Sequence, residues 1–308
     1  MLKIGSLFSG YGGLDMAVEQ VTGATPAWFV ELDKAPSKIL ARHWPDVPNY
    51  GDVTKIKWEI MPPVDILTGG YPCQPFSQAG QRKGTNDDRH LWPYVREAIR
   101  HLRPRLTILE NVAGHRSLGF DRVLGDMAED GLHVRWTSIR ASDIGAPHHR
   151  ERLFILATPA DTEGERFSGQ QQPSRSGETI TSADRCIGAF PSSDGQRRDG
   201  RGTTPGQASG AHSPANRHRV GIDFGPYFPA VRRWERLTRP APAPTEPNRN
   251  GNPRLAAEFA EWMMGLPAGH VTQVPGISRA EQLKVIGNGV CPQQAAAALT
   301  TLLEMENI

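Results

Sequence analysis

The chain has 308 residues, 38% of them hydrophobic and 22% charged, and a formal net charge of +2 at pH 7. Its mean hydropathy is −0.47. That length accommodates one large domain or two modest ones, each with a sizeable core. No apolar run approaches the roughly 20 residues of a bilayer-spanning helix. The N-terminal M-L-K-I-G-S-L-F-S-G-Y-G-G runs straight into a glycine motif, so neither a signal peptide nor a membrane association is expected. Three widely spaced cysteines (Cys73, Cys186 and Cys291) offer neither a disulfide framework nor a zinc-ligand spacing. A reducing, cytoplasmic protein without a metal is expected. The near-neutral charge does not exclude nucleic acid, because a binder can confine its basic residues to one cleft.

From the N-terminus to about residue 157, short apolar runs alternate with amphipathic stretches. Strands are predicted over 3–8, 27–31, 64–67, 106–110, 134–140 and 153–157, and helices over 13–21, 35–43, 91–102 and 120–130. That alternation predicts an α/β fold with a doubly wound, mainly parallel sheet. The character then changes. Residues 161–219 are rich in Gly, Ser, Gln, Arg and Asp with hardly any apolar periodicity, as in a loop-rich recognition region or a partly disordered one. Aromatic and basic residues return over 226–240, the run P-A-P-A-P-T-E-P (240–247) reads as a stiff extended connector, and an amphipathic helix is predicted over 254–266. The last 25 residues hold K-V-I-G-N-G-V-C-P-Q-Q and an alanine-rich helix.

Residues 69–77 read G-G-Y-P-C-Q-P-F-S. Proline fixes φ and removes a backbone donor, so neither strand nor helix easily continues through Cys73, which lies between Pro72 and Pro75. A thiol placed just after a strand, in a loop opened by two glycines, is a candidate nucleophile. A buried inert cysteine is the alternative.

F-S-G-Y-G-G-L-D (8–15) follows one predicted strand and opens a helix. Gly10, Gly12 and Gly13 permit a tight turn and let backbone N–H groups approach a ligand. The pattern is not the G-x-G-x-x-G dinucleotide fingerprint. Glu31, about twenty residues on at the end of the next strand, is placed to accept both hydroxyls of a ribose, and Asp52 to accept from an adenine amino group. Two acids without a lysine-bearing phosphate loop favour a nucleoside lacking a pyrophosphate, and adenosine carrying a methionine side chain fits.

Taken together, these motifs resemble those of the DNA (cytosine-5) methyltransferase family, in that family's order and over nearly the whole chain. F-S-G-Y-G-G-L-D resembles the cofactor motif, P-C-Q the nucleophile loop and E-N-V (110–112) the base-binding acid. R-E-R (150–152) resembles the eighth motif, and I-G-N-G-V (286–290) the tenth. The resemblance implies a Rossmann-like catalytic domain from 1–157 and 276–308 and a smaller target-recognition domain over 158–275, loop-rich at 160–219. It implies S-adenosyl-L-methionine as cofactor, S-adenosyl-L-homocysteine as product and double-stranded DNA as substrate. A monomer in a bacterial cell or phage-infected host is expected, either free-standing or paired with a restriction endonuclease encoded separately.

Site residues follow from the same resemblance. Cys73 is the expected nucleophile and Glu110 the acid facing the base, with Arg152 at the base's O2 and holding the charge state of Glu110. Arg150 is expected at a phosphate. Phe8 and Leu91 are expected to sandwich the adenine. Gly10, Gly13, Pro72, Asn288 and Val290 are expected along the methionine part, with Ser9, Leu14, Leu32, Val53 and Gly70 completing the cofactor site. Ser77, Arg82 and Lys83, in a segment expected to close over a flipped nucleotide, and Arg232 and Arg233 are the expected DNA contacts.

The sequence departs from the family pattern in three places. His148 and His149 stand where glutamine usually precedes R-x-R, Leu91 follows the D-x-R motif (Asp87, Asp88, Arg89) one residue early, and the ninth motif is reduced to P-R-L (253–255) and W-M-M-G-L-P (262–267). Three other readings compete. A tRNA cytosine methyltransferase is disfavoured by the long stretch between the eighth and ninth motifs, basic at 217–239. A DNA-binding pseudoenzyme is disfavoured by the intact Cys73, Glu110 and Arg152. A nicotinamide oxidoreductase is disfavoured by the adjacent second and third glycines.

Overall fold

A computed structural model describes residues 1–72, 91–160 and 224–305. Cys73, Ser77, Arg82 and Lys83, the expected closing segment, the D-x-R motif, Cys186 and all of the polar stretch 161–219 lie outside the described residues.

Six strands make the main sheet: β1 (Lys3–Leu7), β2 (Thr25–Val30), β3 (Ile66–Gly69), β4 (Leu106–Val112), β5 (Leu132–Arg140) and β6 (Glu151–Pro159). Their order is β2-β1-β3-β4-β6-β5. The first four are parallel, while β6 runs antiparallel to both β4 and β5. The fold is the expected α/β, Rossmann-like arrangement. Side chains alternate across it with the strand period of two. Leu7, Leu67, Leu109 and Ile155 enter one core with Trp92, Val95, Phe120 and Val123 of α3 (Trp92–Leu102) and α4 (Phe120–Glu129). Ile4, Ile66, Ile108 and Leu156 enter another with Leu14 and Val18 of α1 (Gly13–Thr22), and with Ala295, Ala298 and Leu302 of α8 (Pro292–Glu304). The alanine-rich terminal helix therefore belongs to the N-terminal layer, and small side chains let it lie close to α1.

Residues 224–275, assigned above to a target-recognition domain, belong to the same compact unit as the described N-terminal residues. With α2 (Lys34–His43), α6 (Ala257–Met263) and α7 (Arg279–Asn288) they form a third core around Trp234 of α5 (Phe228–Leu237) and Trp262. The extended connector at 240–247 is unpaired only in its first part. Thr245–Pro247 forms β7 and pairs antiparallel with β8 (Pro253–Leu255). That hairpin takes the first residues of the helix predicted over 254–266, and Gly265 at φ 70 follows its end, so α6 is shorter.

Register brings Val30, Leu7, Gly69 and Leu109 into one row across four parallel strands. Glu31, Phe8, Gly70 and Glu110 come next, at the carboxyl ends. The chain leaves β1 toward β2 on one side and β3 lies on the other, so the order reverses between β1 and β3. Open α/β sheets bind ligands outside the strand ends at such a point.

Candidate active site

A cavity of about 450 Å³ opens over those strand ends. Its first wall is the turn from β1 into α1. Phe8 (φ 53), Gly10 (φ 56) and Gly12 (φ 81) all take positive φ. For Phe8 that conformation costs on the order of 1–3 kcal/mol, strain of the kind concentrated at functional sites. Its N–H donates to Val30 O at 2.9 Å, and Gly12 N–H closes the turn on Ser9 O at 2.8 Å.

Glu31 braces this turn from β2. Its Oε2 accepts from Gly10 N–H and its Oε1 from Asp33 N–H, each at 2.8 Å. A carboxylate oxygen has two lone pairs, so both keep capacity for a diol. Burial pushes the Glu31 carboxyl above its usual range, against the pull of these N–H groups.

The opposite wall holds Glu110 and Arg152. Glu110, on β4, is buried, and Arg152 Nε lies 2.8 Å from its Oε1. Burial raises the Glu110 pKa, while Arg152 and then Arg150 oppose the rise. A carboxyl balanced between desolvation and an adjacent guanidinium can take up or release a proton as a ligand arrives. Gly70 faces it, and a Cβ there would lie 3.3 Å from Glu110 Oε2.

The third wall comes from the C-terminus. Tyr11 is fully buried and its hydroxyl donates to Val290 O at 2.7 Å; burial holds its phenol well above the usual pKa, so the proton stays. A Cβ on Gly289 would stand 1.9 Å from the Tyr11 ring, and one on Gly13 would stand 2.3 Å from Val290 O. These two glycines allow the two loops to touch.

Of the expected site residues, the structure brings Phe8, Ser9, Gly10, Gly13, Leu14, Glu31, Gly70, Pro72, Glu110, Arg152, Asn288 and Val290 together around this one cavity. Pro72 places the chain at the wall one residue before Cys73. Leu32, Asp52, Val53 and Leu91 are not among its walls. Leu32 is exposed, Val53 is in the core, and Leu91 packs against that core. The Asp52 carboxylate caps a short helical turn, accepting from Thr54 N–H at 3.0 Å and Thr54 Oγ1–H at 2.8 Å.

Arg150, expected at a phosphate, turns inward here. Its Nη2 donates to Gly287 O at 2.9 Å and also to Gly289 O, and its own φ of 29 is strained. The imidazole of His148, in the place of the usual glutamine, donates to Met263 O at 2.9 Å. Arg232 pairs with Glu235 at 2.8 Å, and Arg233 donates to Gly145 O at 3.2 Å, so both expected DNA contacts on α5 have intramolecular partners.

Sequence reasoning missed three residues. Tyr11 is the variable letter inside the glycine motif. Asn111 lies inside E-N-V, and its Nδ2 donates to Tyr71 O at 3.0 Å, fixing the strand end that leads to Pro72. Asp15 closes the motif yet is buried in the cavity floor. Cys291 is also fully buried, its thiol pushed up to about 11 by burial, which makes it a poor nucleophile. Among the described residues, no group of three or more His, Cys, Asp or Glu is arranged to hold a metal ion. No described helix is long and apolar enough to cross a membrane.

Fold and cavity together define a Rossmann-like protein whose glycine-rich turn and buried acid–guanidinium pair border one cavity at the strand ends. A family model described as C-5 cytosine-specific DNA methylase matches residues 2–304, and the chain belongs to that family. Type II methyltransferase M1.ScrFI of Lactococcus lactis subsp. cremoris is 35% identical over 159 residues, covering 50% of this chain and 41% of that protein. Orphan methyltransferase M.SPRI of Bacillus phage SPR is 36% identical over 169 residues, covering 52% and 38%. The chain thus spans about two-fifths of the length of these curated relatives. Among solved structures, the S. pombe Dnmt2 methyltransferase shares the fold with a TM-score of 0.62 at 14% identity over 100% of both chains. Entamoeba histolytica methyltransferase EhMeth does so with 0.58 at 15% over 100% and 99%.

Proposed function

We propose that the chain is a DNA (cytosine-5)-methyltransferase that methylates carbon 5 of a flipped-out cytosine in a specific duplex sequence. The observation that carries this reading is the Glu110–Arg152 pair, 2.8 Å apart, sharing one cavity with the glycine turn and Glu31.

Carbon 5 of cytosine is too electron-poor to attack a methyl group unaided. Addition of the Cys73 thiolate to carbon 6 converts the ring to an enamine whose carbon 5 is nucleophilic. Thiolate suits the task because it adds readily and later leaves. At an ordinary pKa near 8.5 only about 3% is ionised at neutral pH, so the loop must lower that value or deprotonate the thiol on demand. As the thiolate adds, charge builds on N3. Protonated Glu110 donates there and takes that proton back as the adduct collapses, its other oxygen accepts from the 4-amino group, and Arg152 meets O2 and holds the charge state of Glu110. S-adenosyl-L-methionine supplies an electrophilic methyl group. Glu31 and the turn at Gly10 are suited to hold its ribose, Phe8 its adenine, and Asn288 and Val290 its amino-acid end. Loss of the carbon-5 proton and departure of Cys73 restore the aromatic ring. A stacked base cannot enter this cavity, so flipping at a cost of a few kcal/mol precedes chemistry. Target recognition is assigned to residues 158–275.

The test is base-resolution mapping of 5-methylcytosine in DNA from cells expressing the wild type or Cys73→Ser, with tRNA mapped in parallel. Methylation confined to one DNA motif and absent in the variant supports the proposal. Unmodified DNA, or modification of tRNA alone, overturns it.

A further inference from the structure

Asp15 is a carboxylate 1% exposed. Its Oδ2 accepts from Ser6 Oγ–H at 2.9 Å and its Oδ1 from Thr68 Oγ1–H at 2.6 Å. Other buried carboxylates here are tied to backbone or to a cation: Glu261 accepts from the N–H groups of Gly269, Val271 and Thr272, and Glu110 is paired with Arg152. Among the described residues, no Lys, Arg or His lies within ion-pair distance of Asp15. Its two hydroxyl partners and Asp15 itself all border the cavity. A buried charge without a counter-ion is costly unless a ligand supplies one.

The sheet order locates this charge. Ser6 is on β1 and Thr68 on β3, the two strands between β2, which leads to Glu31, and β4, which carries Glu110. A methyl donor whose ribose is at Glu31 and whose methyl group faces a base at Glu110 must place its sulfur between them, over the β1–β3 pair.

We infer that Asp15 is the specificity residue that distinguishes the cationic sulfonium cofactor from its neutral thioether product, favouring the first and promoting release of the second. The inference rests on the cofactor assignment made above. The groups around Asp15 leave its field uncompensated. Glu19 follows one turn along α1, and Glu31, Asp33, Glu110, Arg152 and Lys284 border the same cavity, but Arg152 is paired with Glu110 and Lys284 with Asp33, and α8 presents alanine and leucine to α1. Burial lifts the Asp15 carboxyl to about 6, opposed by Thr68, Ser6 and its own N–H, so it is ionised at neutral pH and loses its charge below.

Calorimetric titration of the full chain without DNA, using S-adenosyl-L-methionine and S-adenosyl-L-homocysteine separately, tests this. In Asp15→Asn the sulfonium cofactor should bind about tenfold more weakly and the thioether within about twofold of wild type. One fixed charge acting across several ångströms at an effective dielectric near 20 is enough for such a change. In the wild type, the preference for the sulfonium over the thioether should fall about tenfold from pH 8 to pH 5, a readout that stands even where the variant fails to fold. A ratio unchanged by both substitution and pH overturns the inference alone. A wild type that binds neither molecule overturns the cofactor assignment as well.

Discussion

The hydroxyl of Tyr11 and the carbonyl of Val290 meet at 2.7 Å across 279 residues of sequence. The tie joins the turn that opens α1 to the loop between α7 and α8, and both border the cavity. Removing it in Tyr11→Phe leaves a buried carbonyl without its donor, which costs about 1–3 kcal/mol. Urea unfolding should show that loss, and the thioether product should bind several-fold more weakly. Gly289→Ala should be worse, because its Cβ meets the ring at 1.9 Å.

Arg150 separates two roles. A phosphate contact would contribute about one unit to the salt slope of DNA binding. The guanidinium instead donates to Gly287 and Gly289. Arg150→Met is therefore predicted to raise KM for the methyl donor at least threefold while leaving the salt slope unchanged. Steady-state kinetics and salt-dependent DNA binding check the two halves independently.

Asp15 also sets a pH dependence of stability. Its folded pKa, about 6, lies above the unfolded value near 3.8, so between those values the folded chain binds more protons and stability falls as pH rises. The contribution is fully present below about pH 4 and lost above about pH 6, a change on the order of 3 kcal/mol. Asp15→Asn lacks this term. Its stability relative to wild type should rise by that order between pH 4 and pH 7 in denaturant titrations without ligand, and a constant difference would exclude the shift.

Glu110→Gln keeps size and loses the transferable proton. General acid catalysis typically contributes about 10²–10⁴-fold, so kcat should drop within that range while product binding stays within about twofold. Single-turnover assays on methylatable DNA measure the first, and calorimetry the second.

Much of this site was legible from sequence because its residues sit at strand ends, and the strands announce themselves as short apolar runs. Glu31 and Glu110 each follow such a run directly. Tyr11, Asn111 and Asp15 were not legible, because their meaning lies in partners 279, 40 and 53 residues away that no local periodicity indicates. Asp52 shows the reverse. Its position after a glycine reads as a ligand acid, and the cap it also forms through Oδ1 to a neighbouring threonine is a second role that position alone does not reveal. The β7–β8 hairpin was hidden by a proline run whose extended preference suits linker and edge strand alike. The antiparallel entry of β6 between β4 and β5 follows from chain connectivity, which apolar patterning does not encode.

The most direct measurement is covalent trapping on a duplex synthesised with 5-fluorocytosine throughout, incubated with S-adenosyl-L-methionine and resolved under denaturing conditions. Fluorine at carbon 5 cannot leave as a cation, so an adduct at carbon 6 persists. The wild type is predicted to give a denaturant-resistant protein–DNA band that is absent with Cys73→Ser and strongly reduced with Glu110→Gln. A wild type that never shifts, or a Cys73→Ser variant that shifts equally, would contradict nucleophilic addition by this cysteine.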